Sequence, residues 1–289
     1  MSCLAPRLGI ASVVLALAAC SDHGLSGWEI TQVAVTAGDF DDVSQPLNRM
    51  SVAHATYEGI ISTATWDPDY DHENVALKVE TLLGDRGELL RFGDGGAVFL
   101  ASGTRGFGLR EYNGLDPDDH LVTSEVVLEN VEEFVDEGGT LVVTDWTYDV
   151  IQAVWPEAVT FLDQADGLDA AQKGEVGRIT ARVEDADLRD ALEMDQVSLY
   201  FNYSNWAVAV DTAPDTVVYL RGDASYRPDG ITSAPLEDVP LMVGFRPEGA
   251  RGKVVFLSFH TDAQTPEVMD RIVRTAVGSF AISSPPSVP

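Results

Sequence analysis

The chain has 289 residues and is strongly acidic, because 47 Asp and Glu residues against 18 Lys and Arg residues give a formal net charge of −29. A surface of this sign repels nucleic acid phosphates and anionic headgroups, so we expect neither as a partner. It suits divalent cations, basic partners or a saline habitat, although acidic residues that are merely solvated would give the same composition. The length is sufficient for one large domain or two small ones.

The N-terminal residues have the pattern of an export signal. Arg7 precedes an apolar run over residues 8–19. At about 12 residues this run is shorter than the roughly 20 that a membrane-spanning helix needs. It ends in Leu17-Ala18-Ala19-Cys20, which matches the lipobox where bacterial prolipoproteins are lipidated on cysteine and cleaved just before it. The alternative is an ordinary signal peptide with a chance cysteine.

Cleavage before Cys20 would remove residues 1–19 and leave a lipidated tether over residues 20–27. We therefore expect a protein of the bacterial cell envelope that is attached to the membrane by lipid, and Ser21 favours the outer membrane. Cys3 leaves with the signal, so Cys20 is the only cysteine of the processed chain. The mature protein then has no intramolecular disulfide, no cysteine nucleophile and no cysteine metal ligand.

The first half of the remaining chain alternates between strand and helix patterns. Alternating apolar positions over residues 30–37 predict a strand, and Pro46 limits where the following short helix begins. Ser124 is placed to cap a later helix, which Gly138 and Gly139 end. Further strands are predicted over residues 53–57, 97–101 and 140–144, whereas residues 66–92 fit either a helix or a strand. The apolar face of the first helix is formed by Val43, Leu47 and Met50, and that of the later helix by Val127, Val131, Phe134 and Val135.

The second half is predicted to be richer in strands. Residues 240–245 and 253–259 flank a turn with glycine and proline, which is typical of a hairpin. Pro266 opens a final helix. Strands alternating with helices predict one α/β domain over residues 28–281, with a mostly parallel sheet covered on both faces, before a tail over residues 282–289 that we expect to be disordered. The remaining predicted elements are strands over 178–183, 197–202, 206–210 and 216–220, a short helix over 187–192, and a final helical stripe of Met269, Ile272, Val273, Ala276 and Phe280.

Four segments carry a resemblance to a known family: residues 33–42, 132–145, 184–188 and 240–260. Their order resembles that of class I glutamine amidotransferase-like domains, in particular the trehalose-utilisation-protein-like branch. The resemblance covers most of residues 30–280 and implies a flavodoxin-like three-layer sandwich with a C-terminal hairpin plus helix.

In that family a cysteine nucleophile follows the central strand. Here the corresponding place reads Thr144-Asp145-Trp146-Thr147. Without a cysteine, glutamine hydrolysis by the family mechanism is excluded, and the non-catalytic relatives are the better comparison.

Polar side chains follow three of the predicted strands. Ligands of open α/β sheets bind outside the carboxyl ends of the strands, so these side chains are candidates for one shared site for a sugar or a divalent cation. The alternative is local: an aspartate caps a helix or starts a turn, and the histidine bonds nearby backbone. The candidate ligand-binding residues are Asp39, Asp41 and Asp42 after the first strand, Asp145 and Trp146 after the central strand, and His260, Asp262 and Gln264 after the last strand.

A weaker candidate is a calcium loop at Asp67, Asp69 and Asp71. The spacing matches the first three ligand positions of a helix-loop-helix calcium site. However, His72 stands where that loop needs glycine, and Lys78 stands where it needs glutamate. A second acidic loop over residues 116–120 fits a solvated turn, and the aromatic residues of 200–206 fit either a carbohydrate surface or ordinary strand alternation.

The sequence therefore predicts a lipid-anchored envelope protein with a non-catalytic role in binding or scaffolding. The expected partners are the membrane, through Cys20, and an envelope protein or carbohydrate. Nothing in the sequence indicates a cofactor. The alternative is a carbohydrate-active hydrolase of the envelope that uses carboxylate residues. A serine hydrolase is disfavoured, because no Gly-x-Ser-x-Gly elbow is present.

Overall fold

The computed structural model of the protein describes residues 32–60, 77–108, 120–163, 167–204 and 206–278. The predicted signal peptide, Cys20 with its tether, and the C-terminal tail lie outside these residues. So do the calcium candidates Asp67, Asp69 and Asp71, and most of the second acidic loop. Across the described ranges, no helix is long and apolar enough to cross a lipid bilayer.

Strands and helices alternate up to the middle of the described chain, and strands dominate after it. The strands are β1 (Val33–Thr36), β2 (Ala55–Tyr57), β3 (Ala97–Leu100), β4 (Thr140–Thr144), β5 (Val159–Phe161), β6 (Lys173–Gly174), β7 (Gly177–Val183), β8 (Gln196–Phe201), β9 (Trp206–Ala207), β10 (Ala209–Thr212), β11 (Val217–Tyr226), β12 (Ala234–Phe245) and β13 (Lys253–Leu257). The helices are α1 (Ser44–Arg49), α2 (Val79–Gly84), α3 (Arg86–Leu90), α4 (Glu125–Asp136), α5 (Asp149–Val154), α6 (Ala186–Leu192) and α7 (Pro266–Val277), with 3₁₀ turns at Leu121–Thr123 and Asp145–Tyr148.

The central sheet has the strand order β2-β1-β3-β4-β13-β12-β11. The first five strands are parallel, which confirms the predicted α/β class. The predicted hairpin is present, because β12 runs antiparallel to β13. Beyond it, β11 pairs with β12, β7 pairs with β11, and β8 pairs with β7, all antiparallel. The order β2-β1-β3-β4 is that of flavodoxin-like doubly wound folds.

Helices cover the parallel strands on both faces, which gives the predicted three layers. One apolar cluster joins α1, α6 and α7 to one face of the sheet, and a second cluster joins α2, α3, α4 and α5 to the other. Strand β3 shows the alternation, since Phe99 packs in the first cluster and Val98 in the second. Burial on both faces explains why the central strands are continuous apolar runs.

Three details differ from the sequence predictions. Ser124 precedes α4 as expected, but its side chain makes no capping hydrogen bond. The strand predicted over residues 206–210 is broken at Val208, because β9 pairs with β6 while β10 pairs with β5 in a separate two-stranded sheet. Strand β11 extends past the predicted end at Leu220 to Tyr226, because it continues to pair with β12, which begins at Ala234 and not at the predicted Pro240.

Candidate functional site

The loops that carry the predicted site residues lie at one edge of the sheet. Strands β1, β4 and β13 belong to the parallel part, so their carboxyl ends point the same way. Side chains from the three loops make direct contacts, since Asp145 bonds to His260, and Asp41 bonds to Thr261. Residues more than 100 positions apart are therefore brought together by the topology, as the sequence predicts.

Asp145 stands directly after β4, in the place where the family resemblance puts the cysteine nucleophile. It has a positive φ of 45°, which is uncommon for a residue other than glycine. Its side chain is fully buried, and Oδ1 accepts a hydrogen bond from the backbone N–H of Ala207 at 2.7 Å. Oδ2 lies 2.9 Å from Nε2 of His260 and 3.5 Å from Oγ of Ser102. Both carboxylate oxygens are thus engaged inside the protein.

His260 is almost completely buried and is held at both ring nitrogens. Nδ1 lies 2.8 Å from Oδ1 of Asn202, and an amide oxygen can only accept, so Nδ1 carries a proton. Burial acts to lower the pKa of His260, but the hydrogen bond and the charge of Asp145 outweigh it, and the pKa is raised above its usual value. Burial also raises the pKa of Asp145, against the opposing effect of His260. The pair therefore retains a shared proton to a higher pH than a free imidazole does.

Asp41 connects the loop after β1 to the loop after β13. Its Oδ1 accepts hydrogen bonds from N–H of Thr261 at 2.8 Å, from Oγ1 of Thr261 at 2.7 Å and from N–H of Asp262 at 3.3 Å. Only 3% of the side chain is exposed. Its other oxygen, Oδ2, is buried and has no hydrogen-bond donor among the described residues. A buried carboxylate oxygen without a donor is unfavourable unless something else balances it.

Asp39 and Asp42 flank Asp41 but have different surroundings. Oδ1 of Asp42 accepts from N–H of Ser44 at 3.1 Å, and its Oδ2 accepts from the side chain of Gln45 at 3.2 Å, so Asp42 is bonded to the first two residues of α1. Asp39 is partly exposed, and its N–H donates to the carbonyl of Gly103 at 3.3 Å. These bonds fix the path of the loop after β1.

Asp262 is exposed, as Asp42 is, and it has the most strongly shifted pKa of the exposed carboxylates in the three loops. Neighbouring protein atoms displace water from its carboxyl group and raise its pKa to about 6, and the negative charge of Asp41 acts in the same direction. His260 opposes this shift, and Asp42 adds to it. Asp262 is therefore a surface acid that still carries its proton at mildly acidic pH.

Gln264 and Trp146 are inside the protein. The side chain of Gln264 accepts from N–H of Tyr200 and donates to the carbonyls of Tyr200 and His260, each at 2.9 Å. Its amide thereby joins β8 to the loop after β13. Trp146 is 1% exposed and packs edge-on against Tyr148, with 5.5 Å between ring centroids. Both residues lie at the predicted place, and in this arrangement their contacts are with protein groups.

The structure adds site residues that the sequence analysis did not select. Asn202 follows β8 and holds His260, although its surroundings suggested only an alternating strand. Phe40 and Tyr203 form an edge-to-face pair with 5.5 Å between centroids, and Tyr203 also contacts the ring of His260 at 5.4 Å. A signal for Asn202 was available, because it is a polar residue at the carboxyl end of a predicted strand.

The described residues do not form a metal centre of the usual kind. No group of three or more His, Cys, Asp or Glu side chains in the described ranges could hold a metal ion. The calcium candidates Asp67, Asp69 and Asp71 stay a prediction, because they lie outside those ranges.

No protein-family model matches the chain, and no curated protein matches it in sequence. Several solved structures are similar to the chain in fold, and two of them are described here. The N-terminal domain of mmIFT52 has a TM-score of 0.50 and 11% identity, covering 86% of this chain and 97% of that one. A protein described as ThuA-like from Bacteroides uniformis has a TM-score of 0.50 and 9% identity, covering 84% and 90%. At these identities the likeness shows the fold alone, and it agrees with the flavodoxin-like α/β sandwich that the sequence resemblance implies.

Proposed function

We propose that this protein is a non-catalytic binding module of the bacterial cell envelope, held at the membrane by a lipid on Cys20. Its amidotransferase-like domain engages a ligand or a protein partner at the carboxyl edge of the sheet. The lipobox supports the location, and the closed hydrogen bonding of Asp145 supports the role.

The observation that carries the non-catalytic role is the state of the residue after β4. A nucleophile or general base has to reach a reacting atom, with a free lone pair pointing at it. Asp145 is fully buried, one of its oxygens is bonded to the N–H of Ala207, and the other faces His260. The imidazole is in turn bonded to Asn202. This closed set of hydrogen bonds supports a structural role for the two side chains at the loop junction.

Turnover assays test the absence of catalysis. We expect that the full chain hydrolyses neither glutamine nor any of a panel of envelope glycans faster than buffer alone does. Turnover by the wild type that Asp145→Asn and His260→Ala both abolish would overturn the proposal. The exposed Asp195 precedes β8, at the end of that strand opposite Asn202. It provides the control variant Asp195→Asn, which has to retain any turnover that belongs to the site.

Metabolic labelling tests the membrane attachment. Cells that express the full chain are fed an alkyne fatty acid, and the membrane and soluble fractions are compared. The wild type is expected to incorporate label and to sediment with membranes, whereas Cys20→Ala incorporates none and is released. Equal labelling of both would exclude Cys20 as the lipid site. Crosslinking in the native envelope then identifies the protein or glycan that the anchored domain contacts.

A further inference from the structure

A cavity of about 440 Å³ lies at the amino edge of the parallel strands, opposite the edge that holds Asp145 and His260. Three segments line it, which are residues 155–158 after α5, residues 213–216 between β10 and β11, and residues 245–248 after β12. Cavities of this size take a small molecule or a short piece of a polymer. The binding role proposed for the carboxyl edge makes no use of this cavity.

Hydrogen bonds and ring packing fix the walls of the cavity. The N–H of Ala213 and the hydroxyl of Thr216 both donate to the carbonyl of Ala158, each at 3.1 Å. The rings of Trp155 and Phe245 pack edge-to-face, with 5.8 Å between their centroids. The three segments therefore hold one another in place. A ligand would meet a preformed surface, which lowers the entropic cost of binding.

Trp155 is an accessible aromatic residue of this cavity. Phe245 is buried behind it, whereas Trp155 is partly exposed. The indole N–H of Trp155 bonds to no described residue and is not among the buried donors that lack a partner, so it is accessible to solvent. By contrast, the indole N–H of Trp146 is buried, and that of Trp206 donates to the carbonyl of Glu175 at 3.0 Å. Trp155 thus offers both ring surface and a free hydrogen-bond donor to a molecule in the cavity.

Four charged side chains line the same cavity. Glu157, Asp215 and Glu248, which we call the rim carboxylates, are exposed, and none of them forms a hydrogen bond or an ion pair with a described residue. Arg246 donates from one guanidinium nitrogen to the carbonyl of Arg251, and its other N–H groups have no acceptor among the described residues. The cavity therefore offers carboxylate acceptors and guanidinium donors together, and both kinds are accessible.

This combination of groups disfavours most classes of small molecule. An anion would be repelled by three carboxylates against one guanidinium group. An organic cation would satisfy the rim carboxylates but has no acceptor for the N–H groups of Arg246 and Trp155. An apolar molecule would cover charged groups without replacing the water that solvates them. In the described ranges, no group of three suitable side chains could hold a metal ion.

A sugar ring with mainly equatorial hydroxyl groups fits all of these groups at once. The C–H bonds of such a ring form a flat apolar face, which packs against an aromatic side chain. Its hydroxyl groups both donate and accept hydrogen bonds. They can therefore donate to the rim carboxylates and accept from Arg246 and from the indole N–H of Trp155.

We propose that this cavity is a binding site for a neutral saccharide, with one pyranose ring against the indole of Trp155. Hydroxyl groups of that ring donate to the rim carboxylates and accept from the guanidinium group of Arg246. The site is separate from the carboxyl edge, so it neither requires nor excludes the partner proposed there.

Isothermal titration of the full chain tests the proposal, in a detergent without a sugar headgroup so that the detergent does not compete. The probes are cellobiose and N,N′-diacetylchitobiose, two neutral disaccharides of β-linked pyranoses with equatorial hydroxyl groups. We expect saturable binding of at least one of them. Methyl β-glucoside and methyl β-glucuronide are then added as competitors. They differ at C6 alone, where the glucuronide has a carboxylate, and the glucuronide is expected to compete about tenfold less well.

Variants locate the binding in the cavity. Trp155→Ala removes the ring and its N–H, and it is expected to weaken binding about tenfold or more. Trp155→Phe keeps an aromatic ring against Phe245, so it is expected to fold normally and to weaken binding less. Glu157→Ala removes an exposed acceptor and is expected to weaken binding about threefold to tenfold. Its matched control is Asp195→Ala, which removes an exposed carboxylate outside the cavity and is expected to leave the affinity unchanged.

The outcomes separate this site from the proposed function. The proposal is overturned if neither disaccharide binds saturably up to about 20 mM, or if Trp155→Phe and Glu157→Ala both bind as the wild type does. A glucuronide that competes as well as the glucoside would also overturn it. Saccharide binding that depends on Trp155, in a protein for which crosslinking finds no partner at the carboxyl edge, would retain this site and reject the role proposed for that edge.

Discussion

His260 and Asp145 are joined by a hydrogen bond of 2.9 Å between Nε2 and Oδ2, across 115 positions of the chain and at the carboxyl ends of adjacent strands. Both side chains are at least 96% buried. The bond is therefore shielded from solvent, and its loss leaves each side chain buried without the other. Most of the testable consequences of the structure concern this pair and the loops around it.

Asp145→Ala is expected to lower the free energy of unfolding by about 3–5 kcal/mol, the usual cost of leaving one member of a buried pair alone. The variant also leaves the N–H of Ala207 without its acceptor. Urea denaturation followed by tryptophan fluorescence measures the change. The matched control is Asp195→Ala, which removes a carboxylate that is 89% exposed and pairs with Arg189. Equal denaturation midpoints of the two variants would contradict the role assigned to Asp145.

The stability of the wild type is expected to fall as the pH rises above about 6.5. The folded state raises the pKa of His260, so the pair binds its proton more tightly than the unfolded chain does. Such a group contributes stability that is fully present below the unfolded pKa and is lost as the pH rises through the folded one. Thermal unfolding between pH 6 and 9 measures this slope. His260→Gln is expected to flatten it, and an unchanged slope in that variant would assign the effect to other groups.

Gln264→Ala is expected to destabilise the protein by about 2–3 kcal/mol, because three hydrogen bonds at roughly 1 kcal/mol each are lost. The bonds connect β8 to the loop after β13, so amide exchange at Tyr200 is expected to accelerate as well. Gln45→Ala serves as the control, since its amide donates a single exposed bond to Asp42. Protection of Tyr200 that survives in Gln264→Ala would show that the connection is held by other contacts.

Gly103→Ala is expected to disturb the loop after β1 through a steric clash. An added Cβ would lie 2.7 Å from the backbone N of Asp39 and 2.8 Å from the ring of Phe40. Gly249→Ala is the matched control, because Gly249 has a similar φ of +83° against +81° but nothing within 4 Å of its Cβ. Both variants carry the strain of a left-handed backbone, and the clash adds about 1–3 kcal/mol to Gly103→Ala alone. Similar melting temperatures of the two variants would show that the loop after β1 can move away from Gly103 without a loss of stability.

The parallel core of the fold was predictable because strands that are buried on both faces appear in the sequence as continuous apolar runs. Strands such as β3 and β4 are short apolar runs, and turns or helix ends bound them. The shared edge of Asp41, Asp145 and His260 followed from topology alone, because parallel strands end on one side. No side-chain distances were needed to place these residues together.

The antiparallel extension was harder to predict for a physical reason. Whether Asn202 reaches the same edge depends on how β8 pairs with β7, and that register is set by contacts between distant residues. The division of residues 206–210 into β9 and β10 at Val208 could not be predicted either, because strand propensity does not indicate which sheet a residue joins. Gln264 was selected as a candidate ligand residue, but sequence alone could not show that its amide is bonded to the backbone of Tyr200 and His260.

The bond from the N–H of Ala207 to Oδ1 of Asp145 bears on how conservation of this aspartate should be interpreted. Strand β9 has only two residues, and the carboxylate after β4 holds one of them in place. Replacement of Asp145 would therefore release a strand as well as alter the site. Selection for folding alone would retain an acid at this position. Conservation of Asp145 in related proteins would therefore not be evidence that it binds a ligand.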